Sequence, residues 1–200
     1  MEKEDLIQTI YHDVNNHLLC INGISYALKD SNPDHYKKIM AHTKSLEKCA
    51  HNIQLISGKA FDYKLQETPV ADLYKELSQF CEMYSELYNN LVTDLVTLQG
   101  QSQILFNSHL FEQILLNIFG DAQKFNAKTI VIKSEVKKGS ITFLFQDDGV
   151  RDPKSKTKMQ FHHLTDRILT LNCEQLKVSY THKSSRKGHS VAVQFNFSSI

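Results

Sequence analysis

An apolar column of seven-residue period at the N-terminal end constrains this chain most. Ile7, Val14, Ile21 and Leu28 stand one heptad apart, and Ile10, Leu18 and Ile24 fill the three- and four-residue steps between them. A helix gathers residues so spaced on one side. Lys29-Asp30-Ser31-Asn32-Pro33 then interrupts the pattern. Asn32 can cap a helix whose first residue is Pro33, a position where a missing N–H costs nothing. A second helical pattern covers 34–57, with Ile39, Leu46 and Ile53 in one column and Thr43, Ala50 and Ser57 in a neighbouring one; Gly58 is a stop. Two helices joined by a short loop make an antiparallel hairpin. Alone it leaves an apolar stripe uncovered, so the pattern calls for a homodimer closed as a four-helix bundle.

After Gly58 the period changes. Residues 70–89 read as a helix with Val70, Leu73, Leu77, Phe80 and Tyr84 as its buried stripe. Residues 91–106 read as strands and 108–123 as an apolar helix. Residues 129–136 and 141–146 are rich in β-branched and aromatic side chains, and Lys137-Lys138-Gly139-Ser140 joins them as a hairpin turn. A helix over 161–171 and strands over 176–181 and 189–197 complete an α+β sandwich with helices on one face of a mixed or antiparallel sheet. The expected division is 1–58 for the hairpin and 59–200 for the sandwich. The basic stretches Arg151–Lys158 and Lys183–Lys187 read as solvated loops.

Composition removes several function classes. Lys and Arg number 23 against 22 Asp and Glu, a net of +1. A duplex-binding protein carries a basic excess, so no nucleic-acid partner is expected. No run of ~18 apolar residues exists to span a membrane, and Met-Glu-Lys-Glu-Asp is no signal peptide. Cys20, Cys49, Cys81 and Cys173 are widely spaced with no C-x-x-C pair, which fits reduced, mostly packed thiols in a cytoplasmic protein. No spacing of Cys, His and carboxylates marks a metal centre. The chain has 7 glycines in 200 residues, about half the usual share of ~7%. Glycine-rich phosphate loops are poorly supplied.

The first helix contains His12-Asp13-Val14-Asn15-Asn16-His17-Leu18. At about 100° per residue His12 points away from the Val14–Leu18 seam, on the side shared by Asn15, Asn16 and Leu19, whereas His17 falls at the seam. An outward histidine is most often a solvated one. Here Asp13 follows directly and can orient the imidazole and raise its basicity. Asn16 lies one turn on, able to position a water or a phosphoryl oxygen, and Leu19 and Asn15 offer a docking surface. A neutral imidazole nitrogen is a competent phosphoryl acceptor.

His12-Asp13-x-x-Asn16-x-Leu18-x-x-Ile21-x-Gly23 resembles the H-box of sensor histidine kinases, with His17 where the usual proline stands. Val70-Ala71-Asp72-Leu73 resembles the start of their ATP-binding domain. The run from Phe111 to Phe125, through Asn117 and Asp121, resembles the N-box, and Asp147-Asp148-Gly149 the first glycine box, Asp-x-Gly-x-Gly. The motifs stand in the family's order along nearly the whole chain. The resemblance implies a hairpin followed by a Bergerat-type (histidine kinase ATPase) α/β sandwich.

The departures bear on function. Asp121 replaces the second N-box Asn, which in the family helps hold Mg²⁺. Arg151 replaces the second glycine of the first box, a bulky cation where backbone must approach the nucleotide. The second glycine box has no glycine at all in Met159-Gln160-Phe161-His162-His163-Leu164. The resemblance therefore implies a histidine phosphotransferase with a degenerate ATPase-like domain and no cofactor of its own. His12 is the expected phosphoacceptor, Asp13 and Asn16 its helpers, and Asn15 and Leu19 the partner contacts. Response-regulator receiver domains, which supply the Mg²⁺, and an upstream hybrid histidine kinase are the expected partners. A non-catalytic adaptor and a divergent ATP-dependent kinase or response-regulator phosphatase are the alternatives.

Overall fold

The structure is a computed structural model that describes residues 14, 17–56, 63–85, 90–96, 102–151, 156–185 and 188–198. The chain divides into two compact units, Met1–Asp62 and Tyr63–Ile200. In the first, residues 14 and 17–26 are helical (α1), residues 27–31 turn, and α2 runs Pro33–Ile56. Asn32 caps α2 as its sequence suggests: its Oδ1 accepts from the His35 N–H at 3.3 Å. The intrachain seam is made of Leu18 and Ser25 on α1 and Ala41, Thr43, Ala50, His51, Gln54 and Leu55 on α2, all buried. The Ser25 hydroxyl donates to Met40 Sδ at 3.3 Å, and Asn22 Nδ2 donates to Glu47 Oε1 at 3.2 Å. With Leu18 facing α2, Ile21 falls about 60° and Ile24 about 120° round the helix. Both are exposed, as are Leu46 and Ile53 on α2. His17 is exposed too, on the flank of Ile24 and outside the seam within the chain.

The second unit is built on a five-stranded mixed sheet of order β2-β4-β5-β7-β6. Its strands are β2 (Asn90–Asp94), β4 (Thr129–Lys137), β5 (Ser140–Asp147), β6 (Ser179–Ser185) and β7 (Gly188–Asn196). β2 pairs parallel with β4, and the other pairs are antiparallel. A separate antiparallel pair joins β1 (Gln66–Pro69) to β3 (Gln103–Phe106). The period-2 alternation of β4, β5 and β7 puts Ile130, Ile132, Ile141, Phe143, Phe145, Val191, Val193 and Phe195 on one buried face. The helices α3 (Val70–Tyr84), α4 (Ser108–Lys124) and α5 (Lys156–Leu176) supply the other side of the core. Tyr74 of α3 meets Phe143 edge-on at 5.5 Å between ring centroids, and Phe111 of α4 meets Phe195 at 5.8 Å. The apolar stripe read on 70–84 is buried at every position.

Local chemistry sets the ends. Asn107 caps α4, its side chain accepting from the Leu110 N–H at 3.0 Å. α4 and α5 close with the same paired bonds: Ala127 N to Ala122 O with Asn126 N to Gln123 O, and Val178 N to Cys173 O with Lys177 N to Glu174 O. Asn126 and Lys177 take the left-handed conformation this closure needs, at φ 57° and 58°. The β4–β5 turn rests on Gly139 at φ 83°.

Several sequence readings change. The described residues of the strand region read over 91–106 form two strands in two different sheets. β1 escapes the sequence reading because Gln66-Glu67-Thr68-Pro69 carries no alternation. The helix read over 161–171 extends to Lys156–Leu176, so Lys156–Lys158 open a helix. Arg151, read as part of a solvated loop, is buried. The thiols also divide: Cys81 and Cys173 are buried, but Cys20 and Cys49 are exposed, so packing accounts for only two of the four.

Candidate functional site

Two regions carry the chemistry read from the sequence, one in each unit. In the first, His12, Asp13, Asn15 and Asn16 lie outside the described residues. Leu19, the remaining residue of that set, is 68% exposed on α1. The 100° step puts it about 100° from Leu18, on the opposite flank from Ile24.

In the second unit, the positions that match the N-box and the first glycine box converge on a buried ion cluster. Asp121 comes from the last turns of α4, Asp147 from the end of β5, and Arg151 from just beyond it. The guanidinium lies between the two carboxylates. Its Nη1 donates to Asp147 Oδ1 at 2.7 Å and to the Gly149 carbonyl at 3.0 Å. Its Nη2 donates to Asp121 Oδ2 and to Asp147 Oδ2, both at 2.9 Å. Four of the five guanidinium N–H donors are thereby used, in the forked geometry that suits arginine and not lysine. The Arg151 side chain is 1% exposed, and those of Asp121 and Asp147 are 4% and 7%. The Phe125 ring lies under the guanidinium, 4.6 Å from ring centroid to Cζ. His189, opposite Asp147 in the β5–β7 register, holds Nδ1 3.9 Å from both carboxylates.

Backbone geometry makes room for this cluster. A Cβ on Gly149 would stand 2.9 Å from Asp147 Oδ1 and 3.0 Å from Phe125 Cβ. Gly188 sits at φ 141°, where a Cβ would collide with the Asp147 carbonyl. Burial pushes the Asp147 carboxyl above its ordinary range; Arg151 and the Gly149 N–H offset only part of that shift. Asp148, one residue on, is exposed and shows the reverse. Burial is the largest single influence and raises it, but hydrogen bonds, chiefly from the Thr129 and Lys128 N–H groups at 3.0 and 2.7 Å, together outweigh that and hold it below the ordinary range.

Polar side chains continue outward from the cluster. His182 meets His189 edge-on at 5.7 Å and stacks on Tyr180. The Tyr180 hydroxyl donates to Asp166 Oδ1 at 2.5 Å, and burial and Asp166 together push its pKa up. Asn117 turns its amide back onto its own helix, donating to the Gln113 carbonyl at 2.8 Å. The cavity left among Asn117, Asp121, Thr165, Tyr180, His189 and Val191 measures about 10 Å³, room for at most a single water. A wider groove of about 470 Å³, lined by Lys64, Asp72, Lys75, Glu76 and Asn107 among others, lies between β1, α3 and the start of α4. Among the described residues no group of His, Cys, Asp and Glu is gathered to hold a metal, and no helix is long and apolar enough to cross a membrane.

The sequence reading placed Arg151 at a glycine position but did not find its partners. The available signal was a cation four residues after Asp147, together with a second unexplained carboxylate at Asp121. Two departures from one pattern with opposite charge are a pair worth testing for contact.

No family model matches the chain, and no curated protein does. Solved structures do. Full-length ShkA in complex with AMPPNP superposes with a TM-score of 0.61 at 14% identity, over 100% of this chain and 47% of that one. The histidine kinase AdeS of Acinetobacter baumannii gives 0.56 at 10% identity, over 92% and 97%. The catalytic domain of histidine kinase ThkA gives 0.51 at 14% identity, over 67% and 97%. The chain thus spans about half the length of ShkA. At these identities the likeness is one of fold: the α+β unit with its mixed sheet has the architecture of histidine kinase catalytic domains.

Proposed function

We propose that this chain is a histidine phosphotransferase of a two-component phosphorelay, carrying a phosphoryl group between receiver-domain aspartates through His12 without using ATP. The observation that carries the second half is the Arg151 cluster. A ligand pocket usually offers ~300–1,000 Å³, and the cavity beside Asn117, Asp121 and His189 offers about 10 Å³. The two carboxylates are already engaged by Arg151. The residues present do not fit an adenine nucleotide there, so no step is routed through one.

The first half rests on the His12-Asp13-x-x-Asn16 pattern and on the kinase-like fold. Phosphoaspartate is an acyl phosphate, so its phosphoryl group needs no further activation. One ring nitrogen of neutral His12 attacks phosphorus; the N–P bond forms as the bond to the aspartyl oxygen breaks, and the carboxylate leaves with the electron pair. The second ring nitrogen keeps its proton, and Asp13 accepts it in a hydrogen bond that steadies the charge on the ring. The receiver supplies Mg²⁺ and its acidic cluster. Transfer to a second receiver runs the same step in reverse. This chain has mainly to present and orient the imidazole. Helical periodicity puts His12 on the flank that Leu19 occupies, and the exposure of Leu19 supports a receiver docking there. The exposed column of Ile21, Leu46 and Ile53 supports the homodimeric four-helix bundle.

Labelled phosphoryl transfer from a phosphorylated receiver tests the reading. His12→Ala and His12→Gln are expected to abolish acceptance while leaving receiver binding intact. Asp13→Asn should slow transfer, Asn16→Ala should alter hydrolysis of the product, and Leu19→Asp should weaken docking. A wild-type chain that binds receivers yet accepts no label would make it an adaptor. Autophosphorylation from Mg–ATP would make it a divergent kinase.

A further inference from the structure

We infer that the cleft of the sheet unit is a guanidinium site which the chain fills with its own Arg151, so that this side chain acts as an internal ligand tying α4 to the end of β5. Several independent features of one place carry the inference. Two carboxylates from different elements, Asp121 and Asp147, both accept from the same guanidinium. The Gly149 carbonyl takes a further N–H of the same guanidinium. The Phe125 ring covers the guanidinium face at 4.6 Å. Gly149 and Gly188 leave the space that any Cβ would close. Carboxylates that accept in a fork, a carbonyl acceptor and an aromatic floor are what a planar amidinium or guanidinium cation requires, and a spherical ammonium does not use them.

Charge explains why the site is filled from within. Asp121 and Asp147 are nearly inaccessible to solvent and share the one guanidinium of Arg151, with the His189 ring 3.9 Å from each. Without Arg151 both carboxylates would be left buried with their cation gone, which is the costly way to break such a cluster. Loss of either carboxylate alone leaves Arg151 a buried carboxyl partner. The cluster should therefore depend unequally on its members, with Arg151 first.

The inference concerns the same cleft as the proposed lack of ATP use and in that respect rests on that reading, but its test measures folding and not phosphoryl transfer. In the full chain, Arg151→Ala is expected to lower the Tm of the sheet unit by about 10 °C or more. Asp121→Asn and Asp147→Asn should each lower it by less. Millimolar N-ethylguanidinium, which restores the missing planar group, should return part of the loss to Arg151→Ala. Ethylammonium at the same concentration should not, and neither ion should move the wild type. Arg151→Lys keeps the charge without the fork and should lose most of what alanine loses. If Arg151→Ala yields no soluble protein, refolding yield with each cation gives the same readout. A Tm for Arg151→Ala within ~2 °C of wild type, equal rescue by ethylammonium, or a lysine variant as stable as wild type would each overturn the proposal. A rise in wild-type Tm with Mg–ATP would instead overturn the nucleotide-free reading, so the two fail separately.

Discussion

Along α2, Leu46 and Ile53 stand exposed seven residues apart, whereas every large apolar side chain on the helix-covered face of β5 and β7 is buried. The helical unit leaves its best apolar column in water. The sheet unit closes its core and even matches a buried arginine to two buried carboxylates. The difference lies in geometry. Two helices have only one mutual seam, and here small residues such as Ser25, Ala41, Thr43 and Ala50 occupy much of it. Leu18, His51, Gln54 and Leu55 fill the rest, and Ile21, Leu46 and Ile53 are left outside it. A five-stranded sheet with three helices can bury a full face by itself. A unit that needs a partner suits docking and assembly, and a unit that needs none suits a fixed scaffold.

The strongest way to break this contrast is to charge the exposed column. Leu46→Asp with Ile53→Asp is expected to turn a dimer into monomers in sedimentation, because two positions in each of two chains place roughly 6–12 kcal/mol of burial at stake. The sheet unit should keep its near-UV signal. A wild-type chain that is monomeric at micromolar concentration would remove the contrast altogether. Next in size is the core of the sheet unit. Phe143→Ala removes a fully buried ring that touches Tyr74 and Phe195, and should cost about 3–5 kcal/mol in denaturant unfolding, with no effect on association.

Acid gives a smaller and more local test. The folded-state pKa of Asp148 is depressed, so its contribution to stability is present above the unfolded carboxylate value and is lost as pH falls through the folded value. Asp148→Asn should lose that contribution at neutral pH and flatten the acid limb, so that variant and wild type converge below the folded value. The smallest effect is chemical. Burial pushes the Cys81 and Cys173 thiols up to about 12, with Glu174 adding to the second. Alkylation of the native chain should therefore reach Cys20 and Cys49 and spare Cys81 and Cys173 until the sheet unit unfolds.

Much of the fold could be read from local pattern. The α3 stripe, the Asn32–Pro33 cap and the Gly139 turn each depend on neighbours in sequence, and each stands where the residues point. What escaped depends on partners far along the chain. β1 exists because Gln66–Pro69 finds Gln103–Phe106, and nothing within four polar residues announces that. Arg151 looked solvated because three lysines follow it closely, yet its environment is set by Asp121, 30 residues earlier. His17 has apolar heptad neighbours, yet α2 packs on α1 at Leu18 and Ser25, about 80–100° round the helix, and leaves His17 exposed with Ile24. Of the candidate site, the motif was legible in the sequence, and of its five residues only Leu19 falls within the described structure.

The most direct test of the account is made with no nucleotide in the tube. A purified receiver domain, phosphorylated on its aspartate, is mixed with the wild-type chain and with His12→Ala, and acid-labile label on each is followed in time. The account expects label to appear on the wild type as it leaves the receiver, and none to appear on His12→Ala. Equal labelling of His12→Ala would place the acceptor elsewhere, and a wild type that stays unlabelled while binding the receiver would contradict phosphoryl transfer.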